Sequence, residues 1–153
     1  MEDLLTDILT TAPVLATKTK RWVACLIDYI ICAVIWSIVS YCFGDAVINN
    51  DGTKAWELNG APAFFGMFIP WFLLLPGIEA INGGQSIGKA ILKIRSARMD
   101  GSKISPGMAI ARHLLDIVDY FPFFGLVGLL VASNNSYNQR VGDLVAKTIV
   151  VEK

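Results

Sequence analysis

The sequence is poor in charge, in histidine and in cysteine. Charged residues make up 17% of its 153 residues, against roughly 25% in an average soluble domain. The net charge is zero, so no basic surface points to nucleic-acid binding. A single histidine, His113, excludes a histidine-rich metal site within one chain. We therefore expect no bound cofactor or metal, and no enzymatic activity, because no set of nucleophile, histidine and acid can be assembled.

The three cysteines, Cys25, Cys32 and Cys42, lie in or beside one apolar run and form no Cys-x-x-Cys pair. We interpret them as buried thiols that behave as small apolar side chains.

Long apolar runs are what the sequence has in excess, with 54% apolar residues and a mean hydropathy of +0.55. Residues 22–43 carry one charge, Asp28, and residues 61–80 carry one, Glu79, at their C-terminal end. About 20 apolar residues cross a bilayer core, so both runs are predicted to be transmembrane helices. Pro70 and Pro76 should kink the second helix, whose freed backbone groups neighbouring helices must then satisfy.

The third apolar stretch, 107–132, allows two interpretations. It could be one tilted spanning helix. However, Phe-Pro-Phe-Phe-Gly at 121–125 interrupts it, and three charged residues lie in its first half. A break there would leave two arms too short to cross, giving a hairpin that dips into the membrane. We favour the broken hairpin over the single span.

Residues 81–106 are polar and basic, and Asp100-Gly101 within them is a strong hairpin signal. We predict a small β-hairpin here, with the β-branched tail at 147–151 as a third strand covering its edge. The loop at 44–60 is acidic and is predicted to be an exposed turn. The positive-inside rule then places the N-terminus, the 81–106 loop and the tail in the cytoplasm.

The predicted fold is therefore an all-α membrane protein. Two clear transmembrane helices form a small bundle with a third broken or hairpin-like apolar segment, and a small β-hairpin lies on the cytoplasmic side. Residues 1–20 are predicted to be an interfacial amphipathic helix or a disordered start, and residues 21–153 a single transmembrane domain. The expected location is the cell membrane, with several crossings.

Arg21 and Asp28 are two helical turns apart, on one face of the first helix. A carboxylate inside a bilayer is expensive unless paired, and it usually faces a bundle interior or an aqueous cavity. Asp28 is therefore a candidate ion or proton site with Arg21 as its partner. The alternative is a buried polar contact that fixes helix packing.

Arg112, Asp116 and Asp119 form one stripe on the third segment, at i, i+4 and i+7. Arg112 and Asp116 could pair directly. If the stripe faces inward, it meets Asp28, and one carboxylate without a basic partner should have a raised pKa. Otherwise the stripe faces water at the membrane surface. Glu79, at the end of the second helix, is expected to be interfacial and is a candidate partner for a loop lysine.

Residues 83–89, Gly-Gly-Gln-Ser-Ile-Gly-Lys, match the first seven positions of the nucleotide-binding P-loop, but Ala90 replaces the Ser or Thr that binds magnesium. We reject a P-loop. The glycines are interpreted as a tight exit from the second helix, with Lys89 near lipid headgroups.

Several segments together resemble the RDD family of membrane proteins. They are Lys-Arg-Trp-Val-Ala-Cys-Leu-Ile-Asp at 20–28, the linker at 83–89, the turn Asp100-Gly101, and Arg-Val-Gly-Asp-Leu-Val-Ala-Lys-Thr at 140–148. The last segment resembles a family motif closer to Arg-x-x-Asp-x-x-Ala-Gly-Thr, with Lys147 in place of the glycine. The resemblance covers roughly 20–151 and implies that Arg21, Asp28 and Asp143 are signature residues.

The resemblance also implies a role linked to transport, including cation/proton exchange in some members. Asp143 could form a surface pair with Arg140, or it could reach Arg21 and tie the tail to the first helix. Three or four segments can hardly enclose a pathway alone, so we expect a homo-oligomer or a membrane partner protein, besides the lipid bilayer and a monovalent cation or proton. The rival hypothesis is a membrane adaptor or scaffold whose buried charges are structural.

Overall fold

The computed structural model describes residues 13–120 and 125–153. Helix α1 spans Lys18–Phe43, and its first turn is capped by Thr17, whose hydroxyl oxygen accepts from the Lys20 N–H at 3.3 Å. The helix ends at Gly44, which is extended. At 26 residues, α1 is about 39 Å long, enough to cross a bilayer. The predicted amphipathic helix or disordered start at 1–20 lies mostly outside the described residues.

Helix α2 spans Gly60–Ile81 and is the second helix long and apolar enough to cross a membrane. Its middle is a π-helical turn, Leu73–Gly77, which contains Pro76. Proline lacks the N–H of a regular helix, and a π-turn is one way in which a helix absorbs this defect. Gly66 of α2 packs on Val39 of α1, where an added Cβ would lie 3.2 Å from Val39 Cγ1.

A small antiparallel hairpin joins α1 to α2. Strand β1, Asp45–Ile48, pairs with β2, Lys54–Glu57, around the turn that the sequence predicted. Asp51 shapes this turn, because its Oδ1 accepts from the Thr53 N–H at 3.0 Å and from the Thr53 hydroxyl at 2.7 Å. The strands themselves were not expected from the sequence.

After α2 the chain turns sharply at Gly83 and Gly84, whose φ values are +61° and +90°. A Cβ on Gly84 would lie 2.1 Å from the Ser96 carbonyl oxygen, so only glycine fits. The short helix α3, Ile87–Ile91, follows, and then strand β3, Ile94–Arg98. The glycines therefore make the tight exit that the sequence predicted.

The tail forms strand β4, Thr148–Glu152, antiparallel to β3. After the turn at Asp100-Gly101, the expected second arm of the hairpin makes one isolated bridge, Ala97 to Lys103. The predicted hairpin partner of β3, the segment after Asp100-Gly101, is thus almost absent. The tail, which was expected to add a third strand, pairs directly with β3 instead. Burial explains the preference, since β4 is buried along most of its length and β-branched residues pack well on a pleated surface.

The third apolar stretch does not form one continuous helix over the described residues. Helix α4 spans Pro106–Leu114, α5 spans Asp116–Tyr120 and α6 spans Leu126–Ser133. The chain turns at Leu115, and Gly125 has a φ of +94°. Most of the predicted break, 121–124, lies outside the described residues. A last short helix, α7, spans Val141–Ala146 before β4.

Large apolar side chains are exposed along both long helices. One such row on α1 repeats every fourth residue: Trp22, Leu26, Ile30, Val34 and Ile38. Exposed rows of this kind suit contact with lipid. Cys42 is also exposed, while Cys25 and Cys32 are partly buried, so the expectation of three buried thiols was wrong for Cys42.

The tail lies against the start of α1. Lys20 Nζ is 2.6 Å from Glu152 Oε2, and the Ala16 N–H donates to the Val150 carbonyl oxygen at 2.9 Å. The β1–β2 hairpin follows the other end of α1. Lys20 and Glu152, 132 positions apart in the sequence, therefore meet at the end of α1 that lies away from the hairpin.

Candidate functional site

A cluster of charged side chains is buried at this end of the molecule. We call it the charge cluster; its members are Arg21, Asp28, Glu79, Lys89, Arg112, His113, Asp116, Asp119, Arg140 and Asp143. Buried charges are normally paired or neutralised, and every ionisable member is within hydrogen-bond or ion-pair distance of a partner. All seven residues singled out from the sequence belong to it.

Asp28 is held by the chain that follows α2. Its Oδ2 accepts from the Ser86 hydroxyl at 2.6 Å, and its Oδ1 accepts from the Gly88 N–H at 2.7 Å. A Cβ on Gly88 would lie 2.0 Å from the Ala24 carbonyl oxygen, so glycine permits this close approach to α1. The expected Arg21–Asp28 pair was wrong, because Asp28 accepts from Ser86 and Gly88 and Arg21 binds Asp143 instead.

Arg21 binds Asp143, as one of the two sequence hypotheses for the tail predicted. Asp143 also lies 2.9 Å from Arg112 Nη2 and accepts from the Arg140 N–H at 3.2 Å. Complete burial would raise the pKa of this carboxyl, but Arg112, Arg21 and Arg140 outweigh burial and lower its pKa to about 2. Asp143 therefore stays charged at neutral pH and connects the tail to α4 and α1. It is not a surface residue.

Glu79 is fully buried, so the expectation of an interfacial side chain was wrong. Its Oε2 lies 2.7 Å from Lys89 Nζ and 2.6 Å from His113 Nε2, and its Oε1 is 3.6 Å from Arg112 Nε. The predicted pairing with a loop lysine is confirmed. Lys89 is therefore buried beside Glu79 and does not lie near the lipid headgroups. Burial lowers the pKa of its ammonium group, and the nearby Glu79 carboxylate opposes this effect.

His113 lies between two carboxylates. Its Nδ1 is 2.7 Å from Asp116 Oδ2, and its Nε2 faces Glu79. Sequence reasoning missed this role, and the only available signal was that His113 is the single histidine in a charged stripe. The expected direct Arg112–Asp116 pair was wrong, because the turn at Leu115 breaks the i, i+4 relation. Asp116 pairs with Arg140 Nη1 at 2.7 Å instead.

Asp119 is held mainly by backbone. Its carboxylate accepts from the N–H groups of Val141 and Gly142 at 2.9 and 3.0 Å, at the start of α7. Burial raises its pKa, and these hydrogen bonds and Arg140 only partly offset the effect. Arg112, Asp116 and Asp119 are all at least 97% buried, so the alternative that places their stripe in water was wrong.

A small cavity lies inside the charge cluster. It measures about 30 Å³ and is lined by residues of α1, α2, α3, α4 and the tail, among them Asp28, His113 and Arg112. This is room for about one or two water molecules, and not for a metabolite. Within the described part of the chain, no three histidine, cysteine or acidic side chains are placed to hold a metal ion.

The part of the chain that contains the charge cluster matches a known family. The model of the RDD family matches residues 15–147. This chain belongs to the RDD family. Family membership and the two long apolar helices, α1 and α2, are together consistent with a membrane protein. No curated protein and no solved structure matches the chain.

In this RDD protein, the three residues that the sequence resemblance singled out divide between two contacts. Arg21 and Asp143 connect the first helix to the tail, whereas Asp28 connects the first helix to the segment after the second. Both contacts border the same cavity, which Arg21 and Asp28 line together with His113.

Proposed function

We propose that this RDD protein couples proton binding to the movement of a monovalent cation or small solute across the cell membrane, alone or as an accessory subunit. The observation that carries the proposal is the position of His113 between Glu79 and Asp116. A carboxylate only accepts hydrogen bonds. Two carboxylates can face both ring nitrogens only if the imidazole is charged or one carboxyl is protonated, so the triad holds an exchangeable proton.

Charge balance supports this assignment. The charge cluster contains five carboxylates but only four lysine and arginine side chains. A proton on His113 or on one carboxyl makes the cluster neutral, and its loss leaves a net negative charge in a buried region, which is costly. A cation that enters as the proton leaves would restore neutrality. This is the physical requirement for exchange.

The cavity supplies a place for that exchange. It borders both His113 and Asp28, and Lys89, Arg112 and Arg140 also line it. Water there would connect His113 and its two carboxylates, Glu79 and Asp116, to the polar end of the α1–α2 pair. In this proposal His113 carries the proton, while Arg21, Asp28 and Asp143 hold the walls of the cavity in place. An oligomer or a partner subunit completes the pathway, since two long helices cannot enclose one.

The test is cation-dependent proton flux in sealed vesicles that contain the purified protein and an internal pH dye. We expect an imposed sodium or potassium gradient to change the internal pH, and His113→Gln to abolish the change while the protein remains helical and monodisperse. Asp45→Asn, in the hairpin at the other end of the helices, is the matched control and should retain full flux. Wild-type flux equal to that of empty vesicles would overturn the proposal.

A membrane adaptor is the second candidate, and the contacts of Asp28 and Asp119 favour it. Both bind backbone N–H groups, which is how carboxylates fix a fold. An adaptor should co-purify with a stoichiometric membrane partner in mild detergent. Asp28→Asn separates the two ideas: a transporter variant stays folded and loses flux, whereas a structural variant fails to accumulate.

The proposed location is the cell membrane, with the N-terminus, the 81–106 loop and the tail in the cytoplasm. The contact between the tail and the start of α1 supports a common side for both. In a variant whose three native cysteines are replaced by alanine, a cysteine introduced at Lys153 should react with an impermeant thiol reagent only after the cells are opened. Labelling of intact cells would contradict this orientation.

A further inference from the structure

A second cleft opens between α1 and α6, beside the cavity of the proposed proton site, with which it shares Arg21 and Arg140. We call it the interfacial cleft. It measures about 40 Å³, and its walls combine basic and apolar side chains: Lys18, Arg21, Trp22, Leu129, Ala132 and Arg140. The proposed function makes no use of Lys18, Trp22 or Leu129.

The position of the cleft along α1 places it at headgroup depth. The apolar run of α1 begins at Trp22, and Lys18 lies one helical turn before it, about 6 Å along the axis. Tryptophan and lysine are the residues that mark the boundary between hydrocarbon and water. An occupant of the cleft therefore meets charge on one side and an apolar surface on the other.

The charges in the cleft favour an anion. Arg21 and Arg140 are each engaged with carboxylates of the charge cluster. Lys18 differs, since within the described residues its Nζ donates to the Ser133 hydroxyl at 3.2 Å and not to a carboxylate. A phosphate oxygen could take the place of that hydroxyl and gain a charge-assisted hydrogen bond.

The apolar wall favours a molecule with a hydrocarbon tail. Trp22 on α1 and Leu129 on α6 both line the cleft and are 44% and 42% exposed. Basic pockets beside transmembrane helices, with an apolar surface below them, fit the headgroup and upper chain of an acidic phospholipid.

We propose that the interfacial cleft binds an anionic phospholipid, with its phosphate at Lys18 and one acyl chain along Trp22 and Leu129. Arg21 and Arg140 also line the cleft, but carboxylates balance their charge, so Lys18 supplies the charge that binds the phosphate. The bound lipid would bridge α1 and α6, which belong to distant parts of the sequence.

Trp22 provides the measurement, because bromine on an acyl chain quenches tryptophan emission only at short range. Trp36, Trp56 and Trp71 are replaced by Phe, so that Trp22 is the one emitter. The protein is reconstituted in vesicles of brominated phosphatidylglycerol with plain phosphatidylcholine, and in the mirror mixture with bromine on the phosphatidylcholine. We expect Trp22 to prefer the anionic lipid about fivefold, the effect of one lysine at a membrane surface.

Lys18→Gln should reduce this preference to about one. Lys20→Gln is the matched control, since Lys20 pairs with Glu152 outside the cleft, and should leave the preference unchanged. If the triple Phe variant is not helical, the same ratio is obtained as the difference between the native protein and Trp22→Phe.

Equal quenching in the two mixtures, or a preference that survives Lys18→Gln, would overturn the lipid site. Loss of the lipid preference in millimolar inorganic phosphate would also overturn the lipid site, because it would identify free phosphate as the ligand. The measurement needs no ion gradient, so its outcome is independent of the proton-exchange proposal.

Discussion

The hairpin that joins α1 to α2 and the charge cluster at the opposite end of the pair both depend on aspartates, but in different surroundings. Asp51 is exposed and bonds only within its own turn, to Thr53. Asp143 is wholly buried and contacts three arginines, of which Arg21 and Arg112 belong to distant parts of the chain. Water can replace the partners of Asp51, whereas Asp143 itself has no exposed surface at which water could replace its arginines. The two ends should therefore respond very differently to the same substitution.

The sharpest test of this contrast is Asp143→Ala. The change leaves Arg21 and Arg112 without their carboxylate, and removing one partner of a buried ion pair costs about 3–5 kcal/mol. We expect the free energy of unfolding in detergent, measured by circular dichroism, to fall by this amount. Asp51→Ala is the control and should unfold at the wild-type temperature. Similar losses of unfolding free energy in Asp143→Ala and Asp51→Ala would contradict the expected difference between the two ends of the molecule.

Gly88→Ala is the next largest expected effect. A methyl group at this position meets the Ala24 backbone at 2.0 Å, so α3 must move away from α1 and the Gly88 N–H must leave Asp28. Such overpacking costs about 1–3 kcal/mol. Gly107→Ala, where nothing lies within 4 Å, should be neutral or slightly stabilising. A wild-type unfolding temperature for Gly88→Ala would show that the close approach is not needed.

Acid should weaken the charge cluster through Asp143. Its folded pKa, about 2, is below its ordinary value of 3.8, so its contribution is complete above pH 4 and is lost as the pH falls towards 2. The shift corresponds to about 2 kcal/mol. Unfolding curves at pH 5 and pH 2.5 should show the loss. In Asp143→Asn this component should be absent, and an unchanged pH slope would exclude Asp143 as its source.

The smallest expected effect is at Lys147, which adopts the left-handed conformation with φ of +52° and ψ of +50° at the end of α7. A side chain disfavours this conformation, and glycine does not. Lys147→Gly should stabilise the protein by up to about 1 kcal/mol, whereas Lys147→Ala should not. Since Lys147 is exposed, loss of its charge should matter little, and stabilisation by both variants would point to charge instead of conformation.

The sequence predicted the two long helices because their apolar runs are a local property of the chain. It also singled out Asp28, Glu79, Asp116 and Asp119, because a carboxylate within an apolar run is conspicuous, whereas Asp143 was singled out by the resemblance to the RDD family. The partners of these acids could not be predicted in the same way. Asp28 binds a backbone N–H 60 positions away. The sequence does not show which backbone N–H group will be the donor.

The partners of Arg112 and His113 were not predicted correctly, and this has a different cause. The i, i+4 rule assumes a continuous helix, and the turn at Leu115 redirects Asp116 towards His113 and Arg140. A single turn residue thus changes which charges meet. Likewise, the tail was expected to cover the edge of a hairpin, but its buried β-branched residues make it the principal partner of β3.

The contact between Arg21 and Asp143 joins residues 122 positions apart, which has a consequence for biosynthesis. At about 5–20 residues per second, a ribosome that has just added Arg21 needs roughly 6–24 s to reach Asp143. During that interval the arginine of the nascent chain must find temporary neighbours, such as water, lipid phosphate or the insertion machinery. Messages that end before codon 143 would release chains that lack the Asp143 carboxylate for this arginine.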